Sequence, residues 1–175
     1  ERVLFDRFSE TFQTHDFLLV GLEGSEARDP RLPRLARLIK RLDVEQAREA
    51  GHPRLVSKTL SYPALVASFE EEAEIQGQDV PNLDETLLAE VEGYLVGKGG
   101  KPGMVLVETT EYGLRHRVDL FTLVQQAVAE IAPENPDVFR FTGPSYLGVC
   151  ANRETFKALT LVTPITSLIS LLLAY

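Results

Sequence analysis

FLLVGLEGSEARDPRLPRLARLIKRLDVEQAREAGHPRLVSKTL, residues Phe17 to Leu60, holds one complete strand, helix, strand unit, and the fold class is read outward from it. HDFLLVGLEG (His15–Gly24) is a short apolar run closed by glycine, the pattern of a buried strand. Asp29 and Pro30 then read as an N-cap followed by proline at the first helical position, where its missing N–H costs nothing. Leu32, Leu35, Leu38, Ile39 and Leu42 recur at helical spacing, with Arg34, Arg37, Lys40 and Arg41 on other faces, so an amphipathic helix runs to about Gly51. PRLVSKTLSY (Pro53–Tyr62) follows with the apolar and β-branched content of a second strand.

A second unit comes after an interruption. ALVASFEEEAE and LDETLLAEVEGYL read as two short acidic helices, the run Glu70–Glu72 being a solvated face. Their apolar stripes, such as Leu87, Leu88 and Val91, are narrow, which predicts an insert over about 62–98 packed at the periphery of the sheet. YLVGKGGKPGMVLVETTEYG places two apolar runs about a glycine-rich turn, the pattern of a hairpin. Asp119 is positioned to cap a helix carrying Leu120, Phe121, Val124, Ala127, Val128 and Ile131, and PENP stops it. DVFRFTG (Asp137–Gly143) is a final short strand. The order predicts an α+β fold of the split βαβ, ferredoxin-like kind, with strands near 17–23, 54–60, 103–110 and 138–142. Right-handed crossovers put the helices from Leu32 and Leu120 on one face.

The composition narrows the function classes. The chain of 175 residues is 44% hydrophobic and 25% charged, enough for one domain with a real core and an appendage. A formal net charge of -8 and a pI near 4.9 argue against nucleic acid as a partner. A single cysteine, Cys150, excludes an internal disulfide and leaves the redox compartment open. The first ten residues, ERVLFDRFSE, are charged and amphipathic and lack the apolar centre of a signal peptide.

Chemistry-bearing motifs are sparse. His15, His52 and His116 match no metal-ligand spacing and read as structural or surface residues. Cys150, in LGVCAN, reads as a packed thiol. GKGGKPG lacks the order of a phosphate loop and lies between strands, so it reads as a hairpin loop. No GxSxG nucleophile elbow is present. Asp16, Asp119 and Asp137 read as turn or capping residues, and no catalytic, cofactor-binding or metal-binding residue is assigned.

The C-terminal stretch KALTLVTPITSLISLLLAY is different in kind, since Leu159–Tyr175 contains no charge. TGPSYL turns the chain out of the last strand, using Gly143 and Pro144, and Asn152 is expected to cap a helix through RETFKAL into the uncharged run. Those 17 residues sit at the lower edge of what spans a hydrocarbon core. Thr160, Thr163, Ser167 and Ser170 fall three, four and three apart, a polar stripe of the kind that packs membrane helices. The expected division is a lead-in over 1–16, an α+β domain over 17–151 and a helix entering a membrane segment over 152–175.

The succession FLLVGLEG, LVSKTL, the acidic insert, GYLVGKGGKPGMVLVETT, VDLFTLVQQAVAEI and FRFTGPSYLGVCANRETFKALTLVTPITSLISLLLAY resembles the loop between the first two transmembrane helices of resistance-nodulation-division exporters. It is most similar to the MMPL-type and hopanoid-transporter-like members, over nearly the whole chain. The resemblance implies a porter subdomain on the periplasmic side of a bacterial inner membrane, in a proton-driven exporter of hydrophobic or amphiphilic molecules. It also implies lipid-like cargo, a second pseudo-repeat porter domain as partner, no cofactor, and proton-relay carboxylates in membrane helices outside these residues. The reading from a different class is an extracytoplasmic ligand-binding or sensor domain of a membrane receptor.

Overall fold

The computed structural model describes residues 16–76, 83–93 and 95–155. Strand β1 (Phe17–Leu22) leads into helix α1 (Arg31–Ala50) and strand β2 (Val56–Ser61). Helices α2 (Tyr62–Gln76) and α3 (Leu83–Val91) intervene before strand β3 (Gly103–Thr109). Helices α4 (Glu111–Arg115) and α5 (Arg117–Ile131), strand β4 (Phe139–Thr142) and helix α6, residues 144–155, complete the order. The fold is mixed α+β, built on one four-stranded antiparallel sheet of order β2-β3-β1-β4. All four strands fall within two residues of the positions expected from sequence.

The alternation of β1 divides its side chains between two layers. Leu18, Val20 and Leu22 join Leu32, Leu35, Ile39 and Leu42 of α1 and Leu120, Leu123, Val124 and Val128 of α5 in one core. Helices α1 and α5 therefore share a face of the sheet, as the crossover argument requires. Val105 and Val107 point the same way, while Leu106 between them joins Leu60 in a second core on the opposite face.

Strand β2 reaches both cores by an irregularity. Its pairing with β3 slips between Val56 and Lys58. Val56 faces the helical core, and three residues on Thr59 still faces α1, its hydroxyl donating to the Ala36 carbonyl at 3.1 Å. A regular strand would turn residues three apart to opposite faces, so the extra residue resets the alternation.

The acidic insert corrects one expectation. It is not peripheral but forms a layer of its own, burying Tyr62, Val66, Leu87, Val91, Leu95 and Val96 over Leu60 and Leu106, with Phe17 and Leu19 packed against them. Each insert helix has a narrow apolar stripe, yet two stripes plus the 95–96 segment add up to a continuous face. The carboxylates of Glu70 and Glu71 fall outside it, on the solvent side. The Tyr62 hydroxyl, on a side chain only 1% exposed, donates to the Asp84 carbonyl at 2.8 Å and carboxylate at 2.5 Å, which ties α2 to α3.

Helix boundaries differ from the sequence reading in three places. Asp29 accepts from the Arg31 N–H at 2.9 Å, but Pro30 occupies the cap position and Arg31 opens the helix. Asp119 lies inside the first turn of α5, which starts at Arg117, so its charge complements the helix dipole there and caps nothing. Asn152 is likewise inside a helix, because α6 begins directly after Gly143, whose φ of 107° makes the turn from β4. The GKGGKPG stretch does close a small hairpin, with Gly97 N–H donating to Pro102 and Met104 N–H to Leu95.

Candidate functional site

The chain enters and leaves the sheet at one end. Phe17 starts β1 beside the end of β4, and its carbonyl oxygen lies 2.7 Å from where a Cβ on Gly143 would sit. Asp16, just before β1, is almost buried and receives the Arg117 guanidinium at 2.8 and 3.3 Å. Its carbonyl also accepts from both the N–H and the hydroxyl of Thr109. This residue is a clamp between β1, the end of β3 and α5, a stronger role than a turn.

Helix α6 leaves the body from this end. Its first turns rest on an aromatic group in which Phe121 meets Phe141 edge to face at 5.0 Å and Tyr146 at 5.4 Å. The Tyr146 hydroxyl donates toward the half-buried Cys150 sulfur one turn further on, and that interaction holds its pKa above the ordinary value. From Ala151 to Thr155 every residue is exposed, so the last described part of the helix stands clear of the domain. Leu147 stands 65% exposed at its base and Val118 56% exposed at the start of α5.

Tertiary structure brings two of the histidines together. The Tyr112 ring stacks between His52, at 5.3 Å, and His116, at 4.1 Å. The Pro53 carbonyl 2.8 Å from His52 Nδ1 and the Asp119 carboxylate 3.3 Å from His116 Nδ1 are acceptors only, so each Nδ1 carries a proton. Beside the stack lies an open pocket of about 420 Å³ lined by Pro53, Arg54, Thr110, Glu111, Tyr112 and Arg115. Behind Arg54 sits Asp43, whose carboxylate is 1% exposed. It accepts from the N–H groups of Leu55 at 2.7 Å and Val56 at 3.3 Å, with Arg54 Nε at 3.5 Å. Burial holds its pKa above the ordinary carboxylate range, against the pull of those bonds.

A second cleft, of about 330 Å³, lies between the outer faces of α1 and α5. It is lined by Arg34, Arg37, Leu38, Arg41, Glu130 and Ile131.

The sequence reading separated His52 from His116 and passed over Tyr112 and Asp43. Spacing joins Tyr112 to His116, one helical turn apart at α4, but nothing in it joins either to His52, which comes from the turn after α1 in the other half of the fold. Asp43 did carry a signal, as it follows Leu42 on the buried stripe of α1. Asp137 is the middle residue of the 3-10 turn Pro136–Val138 before β4, in keeping with a turn role. Among the described residues no group of three or more His, Cys, Asp or Glu side chains is placed to hold a metal ion. His15 and the stripe Thr160, Thr163, Ser167 and Ser170 lie outside the described residues. No helix among the described residues is long and apolar enough to cross a membrane.

No family model, curated protein or solved structure matches this chain.

Proposed function

We propose that this chain is a ferredoxin-like, split βαβ porter domain of a proton-driven exporter of the resistance-nodulation-division superfamily, on the periplasmic side of a bacterial inner membrane. The observation that carries the reading is the geometry at one end of the sheet. The chain enters at Asp16 beside its exit at Gly143, α6 leaves the body there with residues 151–155 exposed, and in sequence the chain goes on into a 17-residue stretch free of charge. A domain threaded into a membrane at both ends needs its two connections on one side. The strand order β2-β3-β1-β4 with α1 and α5 on a common face supports the ferredoxin-like assignment. Cargo in this reading is a hydrophobic or lipid-like molecule, the partner is a second pseudo-repeat domain, and the proton-relay carboxylates lie in membrane helices elsewhere.

The test compares this chain with one ending at Ala158 in a vesicle flotation assay. The longer form is expected to float with lipid and to need detergent otherwise, because the uncharged run carries several large apolar side chains worth about 1.5–3 kcal/mol of burial each. The shorter form is expected to stay in solution with a cooperative melt. A shorter form that loses its melt, or a longer form that never floats, overturns the reading. The coding sequence beyond Tyr175 separates the two classes directly: some twelve apolar spans and a second βαβ pattern mark the exporter, and a kinase or cyclase domain marks a receptor.

A further inference from the structure

We infer that the outer face of α1 is a docking surface for a second copy of this chain, which it receives through that copy's acidic insert. The two layers on the sheet carry opposite charge. Helix α1 holds six cations, Arg31, Arg34, Arg37, Lys40, Arg41 and Arg48, against the three acids Asp43, Glu45 and Glu49, of which Asp43 is buried. Residues 62–97, whose described helices cover the other face, hold nine carboxylates in sequence and no Lys, Arg or His.

The basic side is shaped as well as charged. Arg34, Arg37 and Arg41, three and four residues apart, form one stripe along α1 and border the 330 Å³ cleft floored by Leu38 and Ile131. Their charge is poorly neutralised within the domain. Arg41 stands 3.7 Å from Glu130 and 3.8 Å from Glu45, all of them well exposed, and among the described residues Arg37 donates to the Pro33 carbonyl and pairs with no carboxylate. Among the described residues no carboxylate pairs with Arg34.

The complementary surface is the outer side of α2. Glu70, Glu71 and Glu74 are exposed there beside Ile75, which at 79% is the most exposed large hydrophobic residue among those described. An isoleucine flanked by carboxylates fits a mostly polar cleft whose apolar floor, Leu38 and Ile131, is bordered by three guanidiniums and the Glu130 carboxylate: Ile75 seats on that floor, and Glu71 and Glu74 meet two of the three arginines. The stripe from Arg34 to Arg41 covers about 10 Å of helix and Glu70 to Glu74 about 6 Å, so the acidic segment spans two of the three arginines in one contact.

The geometry makes the contact head to tail, because the two surfaces lie on opposite faces of one sheet. Such a contact either closes a ring or extends as a stack. Each copy has a formal net charge of -8, so the bodies repel. At physiological ionic strength screening over about 8 Å leaves the local pairs to decide the outcome.

Sedimentation velocity on the whole chain in mild detergent tests this, since the detergent occupies the uncharged C-terminal run and leaves the folded domain free to associate. The expected result is reversible self-association that weakens between about 0.15 and 1 M salt. Arg34→Glu/Arg37→Glu and, separately, Glu71→Lys/Glu74→Lys are each expected to weaken it at least tenfold. Combining both pairs in one chain, or mixing the two variants, is expected to restore it. Should charge reversal unfold either variant, as read by its melt, the neutral Arg→Gln and Glu→Gln pairs report the same loss. A chain that stays monomeric, or association indifferent to both reversals, overturns the inference. The membrane reading is tested apart from it by flotation, which these substitutions leave unchanged.

Discussion

Replacing Asp43 separates two roles that a buried carboxylate combines. Its Oδ1 is the acceptor for two buried N–H groups at the start of β2, so the residue fixes where the chain leaving α1 joins the sheet. Asp43→Ala leaves both donors without a partner. An unsatisfied buried donor costs about 1–3 kcal/mol, and the second bond, at 3.3 Å, is the weaker, so the pair is worth roughly 2–4 kcal/mol. Relief from burying a charge returns part of this, for an expected loss of about 2–3 kcal/mol. Asp43→Asn keeps the acceptor oxygen and removes the charge, and is expected within about 1 kcal/mol of the parent. Burial raises the folded-state pKa above the unfolded one, so the unfolded chain ionises first. The carboxylate therefore subtracts stability above its raised pKa, and the subtraction is relieved as pH falls toward the unfolded value of about 3.9. The parent should gain on the Asn variant over that window. Urea denaturation of the chain ending at Ala158, followed by circular dichroism at several pH values, measures both differences. Equal losses for Ala and Asn would refute the reasoning, since the charge toward Arg54 would then matter more than the acceptor.

Three further substitutions test the packing in the same assay. Gly103→Ala puts a Cβ 2.5 Å from Leu32 Cδ1 and 2.6 Å from the Glu26 carbonyl oxygen, so it is expected to cost about 1–3 kcal/mol, and a neutral result would show that the loop over β3 yields freely. Arg117→Ala strands the Asp16 carboxylate, which is 11% exposed; with Arg117 itself a third exposed, the loss should be about 1–3 kcal/mol, smaller than for a fully buried pair. Tyr62→Phe removes the hydroxyl that joins α2 to α3 and should cost about 1–2 kcal/mol. Arg28 and that hydroxyl hold the Asp84 pKa down, so Asp84 stabilises the fold above its unfolded value of about 3.9 and loses this as pH falls through the depressed one. The acid-side loss should shrink in the Phe variant.

Local pattern alone determined the strands, the two crossover helices and their common face. Each rests on a period that one segment carries by itself: alternation in FLLVGL, and three-four spacing from Leu32 to Leu42 and from Leu120 to Val128. Handedness then fixes the side on which the crossovers lie. The insert was misjudged because its burial is a sum. Neither α2 nor α3 has a stripe wide enough to predict a layer, and only their joint placement over Leu60 and Leu106 makes one. The start of α6 was misplaced for a related reason, since Asn152 is a good cap by composition but Gly143 had already turned the chain into a helix. Side-chain meetings across the chain were beyond any local reading. His52 reaches Tyr112, and Arg117 reaches Asp16 across 101 positions, only because antiparallel pairing brings the ends of β1, β2 and β3 to one edge, whereas His116 meets Tyr112 as its neighbour one helical turn away. Charge was legible as a count along the sequence, but its separation onto opposite faces of the sheet was decided by which layer each helix joined.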